Sequence, residues 1–330
     1  MESALLKCGE MAMSKEIMIL AGGGGHTGYG YALAQGFHGR ASLRFLVPEE
    51  DILSQKRLSR FGAVNRLLKP RGAKTPNYRF APRLAKAFVD SLNRVSRQCD
   101  AVVSTGSNFC IPPALVAWAK GVPLVNIESS VRFTKASKTA LILQRFSAIT
   151  ALQWDEQKKL LNKGVVVGPL LPEPEVTPQN RGYVLVTGGT LGHKLLFDAI
   201  SESSLKNVVL QTGHVNSEPY RKKHPEWRFL RFSTKFHEIV AGADLVVTHF
   251  GSTVLEAVVY RKPMVIALNP EWKRTVGKND AEILAQKVNA VFVWDLTLEN
   301  LLKAMEEARK RKFPVFENGA ERLADLVLKL

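Results

Sequence analysis

The stretch IMILAGGGGHTG, residues 17–28, places Gly22, Gly23, Gly24, Gly25 and Gly28 around His26 and Thr27, directly behind a short apolar run. Glycine serves where backbone must approach a partner closely or take φ > 0. A glycine turn that opens a helix leaves free N–H groups at the positive end of the helix dipole, a setting for a pyrophosphate or a developing negative charge. An imidazole inside such a turn, facing a cleft, is a candidate base near neutral pH. The alternative is a structural turn with an incidental histidine. Gly23, Gly25 and Gly28 fit the spacing G-x-G-x-x-G, but the acid that a dinucleotide fold sets about twenty residues on is absent, since residues 45–47 read FLV.

Two later turns repeat the design. LVTGGTLGH (185–193) offers Gly188 and Gly189 as a second phosphate cradle, with Thr190 adding a hydroxyl, while His193 beyond it reads as a helix cap. ADLVVTHFGSTVLEAVVYRKPMVIALNP (243–270) ends a strand at His249 and opens a helix at FGST. There Gly251 admits close backbone approach, and Ser252 and Thr253 can contact phosphate oxygens. Glu256 follows these hydroxyls by three and four residues, on the same helical face. It serves either as acceptor for a ribose diol or as a capping-box partner of Ser252 or Thr253.

The elements that must hold these groups follow from hydrophobic patterning. Apolar, β-branched runs at 16–21, 43–47, 100–105, 123–128 and 148–153 alternate with helical stretches such as 29–37, 79–98 and 112–120. The pattern restarts at 182–189, 207–213, 243–249, 262–268 and 289–294. Buried strands separated by helices imply parallel sheets covered on both faces. The segment GPLLPEPEVTPQN, 168–180, is rich in proline and reads as a linker. The expected organisation is two Rossmann-like α/β domains, 1–168 and 181–330, joined by residues 169–180. Ligands of such sheets sit beyond the carboxyl ends of the strands, so two facing domains make a cleft.

The chain has 330 residues and a net charge of +16, unevenly placed. Residues 1–168 hold 24 Lys and Arg against 11 Asp and Glu, and twelve of the basic residues lie between Ile52 and Arg97 with Asp90 as the lone acid. Such a stretch attracts polyanions, either nucleic acid or anionic lipid headgroups, or is a solvated face. Aromatic platforms interleaved with the charge, a helix-turn-helix and a zinc-finger pattern are all lacking, which argues against nucleic acid. Within YRFAPRLAKAFVDSLNRV (78–95), Phe80, Leu84, Phe88 and Leu92 form a stripe beside basic residues, the pattern of a helix lying in the headgroup layer. A second candidate, 137–149, reads rather as core. No apolar run reaches the ~18–20 residues of a membrane span, and residues 1–12 lack a signal-peptide pattern, so the expected location is cytoplasmic. Cys8, Cys99 and Cys110, odd in number and widely spaced, read as reduced and structural.

On these motifs the second half resembles the donor-nucleotide domain of UDP-sugar glycosyltransferases of the GT-B fold. In the MurG type of that family the stretch S-G-A-x-T-x-x-E stands where this chain reads HFGSTVLE. The first half resembles the membrane-anchoring subunit of the eukaryotic UDP-GlcNAc:dolichyl-diphospho-GlcNAc transferase. The similar residues are GGGGHTG, DAVVSTGSNFCIPPALVAW, VNIESSVR and ITALQW, in that order. A single chain carrying both halves resembles archaeal relatives.

The resemblance implies inverting, metal-independent transfer of N-acetylglucosamine from UDP-GlcNAc to a polyprenyl- or dolichyl-diphosphate-linked sugar, with no cofactor, by a peripheral enzyme on the cytosolic membrane face. It further implies acceptor and diphosphate contacts from Gly23, Gly24, Gly25, Thr27, Gly28, Asn108 and Arg132. Donor contacts fall to Gly188, Gly189, Thr190, His249, Gly251, Ser252, Thr253 and Glu256. Such a reaction needs a base, for which His26 leads and Glu128 is second, and stabilisation of the leaving diphosphate by amides and hydroxyls. The family's His-Gln or Gln-Gln sugar-reading pair is replaced by Asn279 and Asp280. The competing readings are another nucleotide-sugar enzyme of this fold, a 2-epimerase among them, and a basic nucleic-acid-binding protein.

Overall fold

The computed structural model describes residues 15–72, 75–272 and 276–330, apart from the side chains of Asn77 and Trp272. Cys8, the first twelve residues and Lys74 of the basic stretch therefore lie outside the described residues.

The first lobe runs β1 (Glu16–Leu20), α1 (Gly25–Gly36), β2 (Ser42–Pro48), α2 (Ile52–Leu58), β3 (Ala63–Leu67), α3 (Asn77–Arg94), β4 (Ala101–Ser104), α4 (Ile111–Ala119), β5 (Leu124–Ile127), α5 (Lys138–Leu143), β6 (Ile149–Leu152) and β7 (Val165–Val166). Its seven strands form one parallel sheet in the order β3-β2-β1-β4-β5-β6-β7. Successive β1 residues face opposite sides of the sheet, and both sides are covered. Ile17 and Ile19 join the cluster containing Tyr31 and Leu33 of α1, whereas Met18 and Leu20 join that of Ala114 and Ala117 of α4. An unbroken apolar run is what a strand buried on both faces requires.

The second lobe runs β8 (Val184–Thr187), α6 (Lys194–Ile200), β9 (Val208–Gln211), α7 (Glu218–Lys223), β10 (Arg228–Leu230), α8 (Phe236–Gly242), β11 (Leu245–Thr248), α9 (Ser252–Val259), β12 (Met264–Ala267), α10 (Lys278–Lys287), β13 (Val291–Val293), α11 (Leu298–Ala308) and α12 (Gly319–Val327). Its six parallel strands are ordered β10-β9-β8-β11-β12-β13. In both sheets the order reverses beside the first strand, between β1 and β4 and between β8 and β11. These are the switch points where open α/β sheets receive ligands, and every glycine turn singled out above sits at one of them.

Three features differ from the sequence expectation. The last helix does not stay with the second lobe: α12 docks on α1, with Ala320 and Leu323 fully buried, Lys15 Nζ on the Leu328 carbonyl at 2.9 Å and Arg40 paired with Asp325. The boundary 181–330 is corrected accordingly. The segment 169–180 has no helix or strand, yet Leu170 and Leu171 are buried in the seam between the lobes, so it is a packed strap rather than a loose tether.

On α3 the stripe divides. Phe88 packs toward the sheet beside the buried Ala87 and Ser91, while Leu92 is 54% exposed along with Tyr78 (73%) and Val89 (59%). Within 137–149, only Lys138–Leu143 is helical, and its Leu141 and Ile142 are exposed. Among the described residues no helix is long and apolar enough to cross a membrane.

Candidate functional site

At the first switch point Gly23 and Gly24 take φ of +86° and +57°, and Gly24 caps α1 without any side-chain bond. Non-glycine residues rarely adopt that geometry, and it lets the His26 and Thr27 amides close back on the Gly23 and Gly24 carbonyls at 3.3 and 3.0 Å. The loop after β4 packs against this turn: Thr105 Oγ1 accepts from Gly22 N–H at 3.3 Å, and Ser107 also has positive φ, +72°. Between the two turns, His26 Nδ1 donates to the Thr105 carbonyl at 2.6 Å, which fixes the tautomer and leaves Nε2 as the proton-accepting atom. Burial pushes the ring from 6.5 down to about 4, against the Thr105 bond, with Lys69 and Arg132 adding in the same direction. His26 is therefore neutral at physiological pH.

Lys69 approaches from the end of β3, its Nζ on the Gly22 carbonyl at 3.0 Å, and burial lowers its pKa. Asn108 donates to the Arg71 carbonyl at 3.2 Å, while its buried Oδ1 has no hydrogen-bond partner among the described residues. Gly23 to Gly25, His26, Lys69, Asn108 and Arg132 thus collect around one electropositive corner. Lys69 was missed by sequence reasoning because it read the basic stretch only as a whole.

At the second switch point Gly189 (φ +65°) donates its N–H to Thr187 Oγ1 at 3.0 Å, and Thr190 is exposed. His249, pushed by burial down to about 3 with His193 nearby adding to the shift, lies between the turns. Its Nε2 is 3.3 Å from where a Cβ on Gly189 would stand and 3.6 Å from that of Gly251. His193 caps α6 and bonds the Leu268 carbonyl, a structural role as expected. Gly251 is the N-cap of α9 in extended backbone, with no side-chain cap bond. Glu256 is therefore not at the capping-box position, and its bond runs to Arg57 instead. Of the two readings left open, the capping one is excluded.

The two helix starts meet across the seam. A Cβ on Gly28 would lie 3.3 Å from Ser252 Cβ, and one on Gly25 3.8 Å from it. Gly28 therefore allows α1 and α9 to approach closely. Arg57 Nη2 of α2 pairs with Glu256 Oε1 at 3.3 Å.

Three expected site residues are placed elsewhere. Thr27 is buried and commits its hydroxyl to Ser54 Oγ at 2.6 Å. Glu128 is fully buried, and its oxygens accept the N–H groups of Ser129 and Ser137, both at 2.7 Å. Burial raises its pKa against those two bonds. Such a carboxylate clamps the 129–137 loop and has no free face for a substrate proton, so it is corrected from base to structural clamp.

Asp280 is likewise buried. It accepts from the N–H groups of Phe133 and Thr134, both at 2.8 Å, from the Thr134 hydroxyl at 3.0 Å, and from Gly277 N–H. A carboxylate saturated by four donors ties the lobes together and reads no sugar, which leaves Asn279, exposed on the first turn of α10, as the polar group of that pair. No three His, Cys, Asp or Glu side chains among the described residues converge in a metal-holding arrangement.

Comparison with known proteins agrees with this architecture. Residues 183–326 match the glycosyltransferase family 28 C-terminal domain. The chain is 27% identical to the UDP-N-acetylglucosamine–N-acetylmuramyl-(pentapeptide) pyrophosphoryl-undecaprenol N-acetylglucosamine transferase of Elusimicrobium minutum, covering 77% of this chain and 78% of that one. It is 23% identical to the enzyme of the same name from Clostridium perfringens, over 75% and 78%. Acinetobacter baumannii MurG superposes with a TM-score of 0.65 at 19% identity over 96% of this chain and all of that one. The Methanocaldococcus jannaschii UDP-GlcNAc 2-epimerase gives 0.65 at 13% identity, over 95% and 99%. The fold is GT-B.

The imidazole of His26 carries a direct test. Its folded pKa lies below the ordinary value, so the ring stays neutral until the pH approaches about 4. An NMR titration of its ring resonances should show a midpoint well below that of an ordinary histidine, and a midpoint near 6.5 would contradict the geometry described.

Proposed function

We propose that the chain is a UDP-GlcNAc-dependent glycosyltransferase that transfers N-acetylglucosamine to a lipid-diphosphate-linked sugar at an anionic membrane surface. The observation that carries this reading is the facing of the two helix starts: a neutral imidazole with a free Nε2 on one wall, and an uncapped anion-seeking helix with a buried carboxylate on the other. The names of the matched relatives and the family 28 match of the second half support it.

In this reading α9 receives the diphosphate of UDP, with amides and hydroxyls of Ser252 and Thr253 and the turn at Gly188, Gly189 and Thr190 sharing its charge. Glu256 accepts the ribose hydroxyls. His249 is buried beneath the turn and supports it. Gly23 to Gly25, Lys69, Asn108 and Arg132 hold the acceptor diphosphate. The acceptor hydroxyl attacks the anomeric carbon from the face opposite UDP, its proton passes to His26 Nε2, and the bond to the diphosphate breaks, which inverts the centre. A ring held near 4 is a weak base. An acceptor diphosphate beside Lys69 and Arg132 offsets the charges that help depress it, and so raises its basicity when the acceptor arrives.

The matched transferases are named for an undecaprenyl acceptor, while likeness to the eukaryotic two-subunit enzyme rests on motifs of the first half. Labelled UDP-GlcNAc offered with undecaprenyl- and dolichyl-diphosphate sugars separates these routes. Formation of UDP-N-acetylmannosamine without acceptor would instead identify a 2-epimerase. Membrane contact rests on Tyr78, Val89, Leu92, Trp118, Leu141 and Ile142, all exposed, beside lysines and arginines of α3 to α5.

His26→Ala should abolish transfer while UDP affinity stays within about twofold, and Glu256→Gln should weaken UDP by about 1.5–3 kcal/mol. Equal loss of both functions in His26→Ala would make its turn structural, and unchanged affinity in Glu256→Gln would remove the ribose role. Replacing Leu92 and Trp118 together with glutamate should release the protein from anionic vesicles in sedimentation, and undiminished binding would place the membrane face elsewhere.

A further inference from the structure

The carboxylate of Glu256 is paired across the seam. Arg57 reaches it from the opposite lobe, Nη2 to Oε1 at 3.3 Å, and the carboxylate side chain is 8% exposed. Its second oxygen is buried and has no hydrogen-bond partner among the described residues. An under-satisfied buried carboxylate is an unfavourable state, and a diol or any pair of hydroxyl donors would relieve it. There is no space for one. The void beside it, bordered by Gly28, Tyr29, Arg57, Ser252, Leu255 and Glu256, measures about 10 Å³, at the lower limit for a single water.

Arg57 is itself well held. Its guanidinium carbon lies 4.2 Å over the Tyr31 ring. The Tyr31 hydroxyl bonds Glu175 of the strap and receives Arg60. The Glu175 N–H in turn donates to Tyr260, just beyond α9, at 3.2 Å. The Arg57–Glu256 pair is therefore one end of a polar chain that runs from α2 through α1 and the strap back to the second lobe. Asp280 on Phe133 and Thr134, and Lys287 on Glu156 at 2.5 Å, tie the lobes independently.

We propose that Arg57 is an inter-lobe latch occupying the site of the donor's ribose, so that a nucleoside diphosphate binds by displacing it and parting the lobes at α1 and α9. This rests on the reading of Glu256 as ribose acceptor given above. Part of the binding free energy of the nucleotide goes into breaking the latch, so apparent affinity is reduced by the fraction of protein that is latched. Removing the guanidinium should raise affinity, whereas a residue that merely orients Glu256 would lower it when removed.

The test is UDP binding by calorimetry, with the radius of gyration by small-angle scattering, on the full chain. Arg57→Ala and Arg57→Met are compared, the methionine keeping an apolar stem on Tyr31. Both should bind UDP about three- to tenfold more tightly and expand in the absence of nucleotide, and Arg57→Lys should fall between them and the parent. In a Glu256→Gln background, where the ion pair is already gone, Arg57→Met should add little. If Arg57→Met binds UDP equally or more weakly while Glu256→Gln alone still loses affinity, the latch is wrong and the ribose site stands. If Glu256→Gln leaves affinity unchanged, the ribose reading falls and the latch with it.

Discussion

Helices α1 and α9 meet end to end at Gly28 and Ser252, where a Cβ on residue 28 would stand 3.3 Å from the serine's own. Two positive dipole ends brought together repel each other, and neither helix has a side-chain cap to offset the charge. An anion between them would remove that conflict. Both sheets aim their switch points at this seam, and the strap, α12 and the Asp280 bonds hold the lobes in the arrangement that keeps the two starts opposed.

That constraint explains the different fates of the buried carboxylates. Glu128 and Asp280 each lie in full contact with backbone N–H groups, which makes them fixed parts of the frame. Glu128 closes the 129–137 loop, and Asp280 attaches α10 to the same loop. Glu256 differs in having one oxygen paired and the other buried without a donor among the described residues. An incompletely satisfied group in a native interior calls for a specific explanation, and here it faces the seam.

Much of the fold was legible because a strand buried on both faces must be apolar throughout. Each of the ten runs read from the sequence falls on an observed strand. The missed strands are those on which this constraint is relaxed. AVNRL of β3 is a sheet edge, RFL of β10 carries flanking charge, and β7 is only two residues long. Missing β3 also hid Lys69, whose position follows only once a strand ends at Leu67. The glycine turns were visible because positive φ leaves a compositional trace.

The roles of Glu128 and Asp280 left no such trace. Asp280 is satisfied by amides 146 and 147 residues away, and nothing local encodes them. Arg57 was hidden for the same reason: its partner lies 199 residues on, so within the sequence it is one cation of many.

The central claim is that one cleft holds a nucleoside diphosphate at the start of α9 with an imidazole opposite. A crystal structure of the complex with UDP examines it most directly. The account requires diphosphate density on the amides of Ser252 and Thr253, ribose hydroxyls on Glu256, and His26 Nε2 facing the bound nucleotide across open space. UDP bound away from α9, or His26 and Glu256 opening onto separate surfaces in that complex, would contradict it.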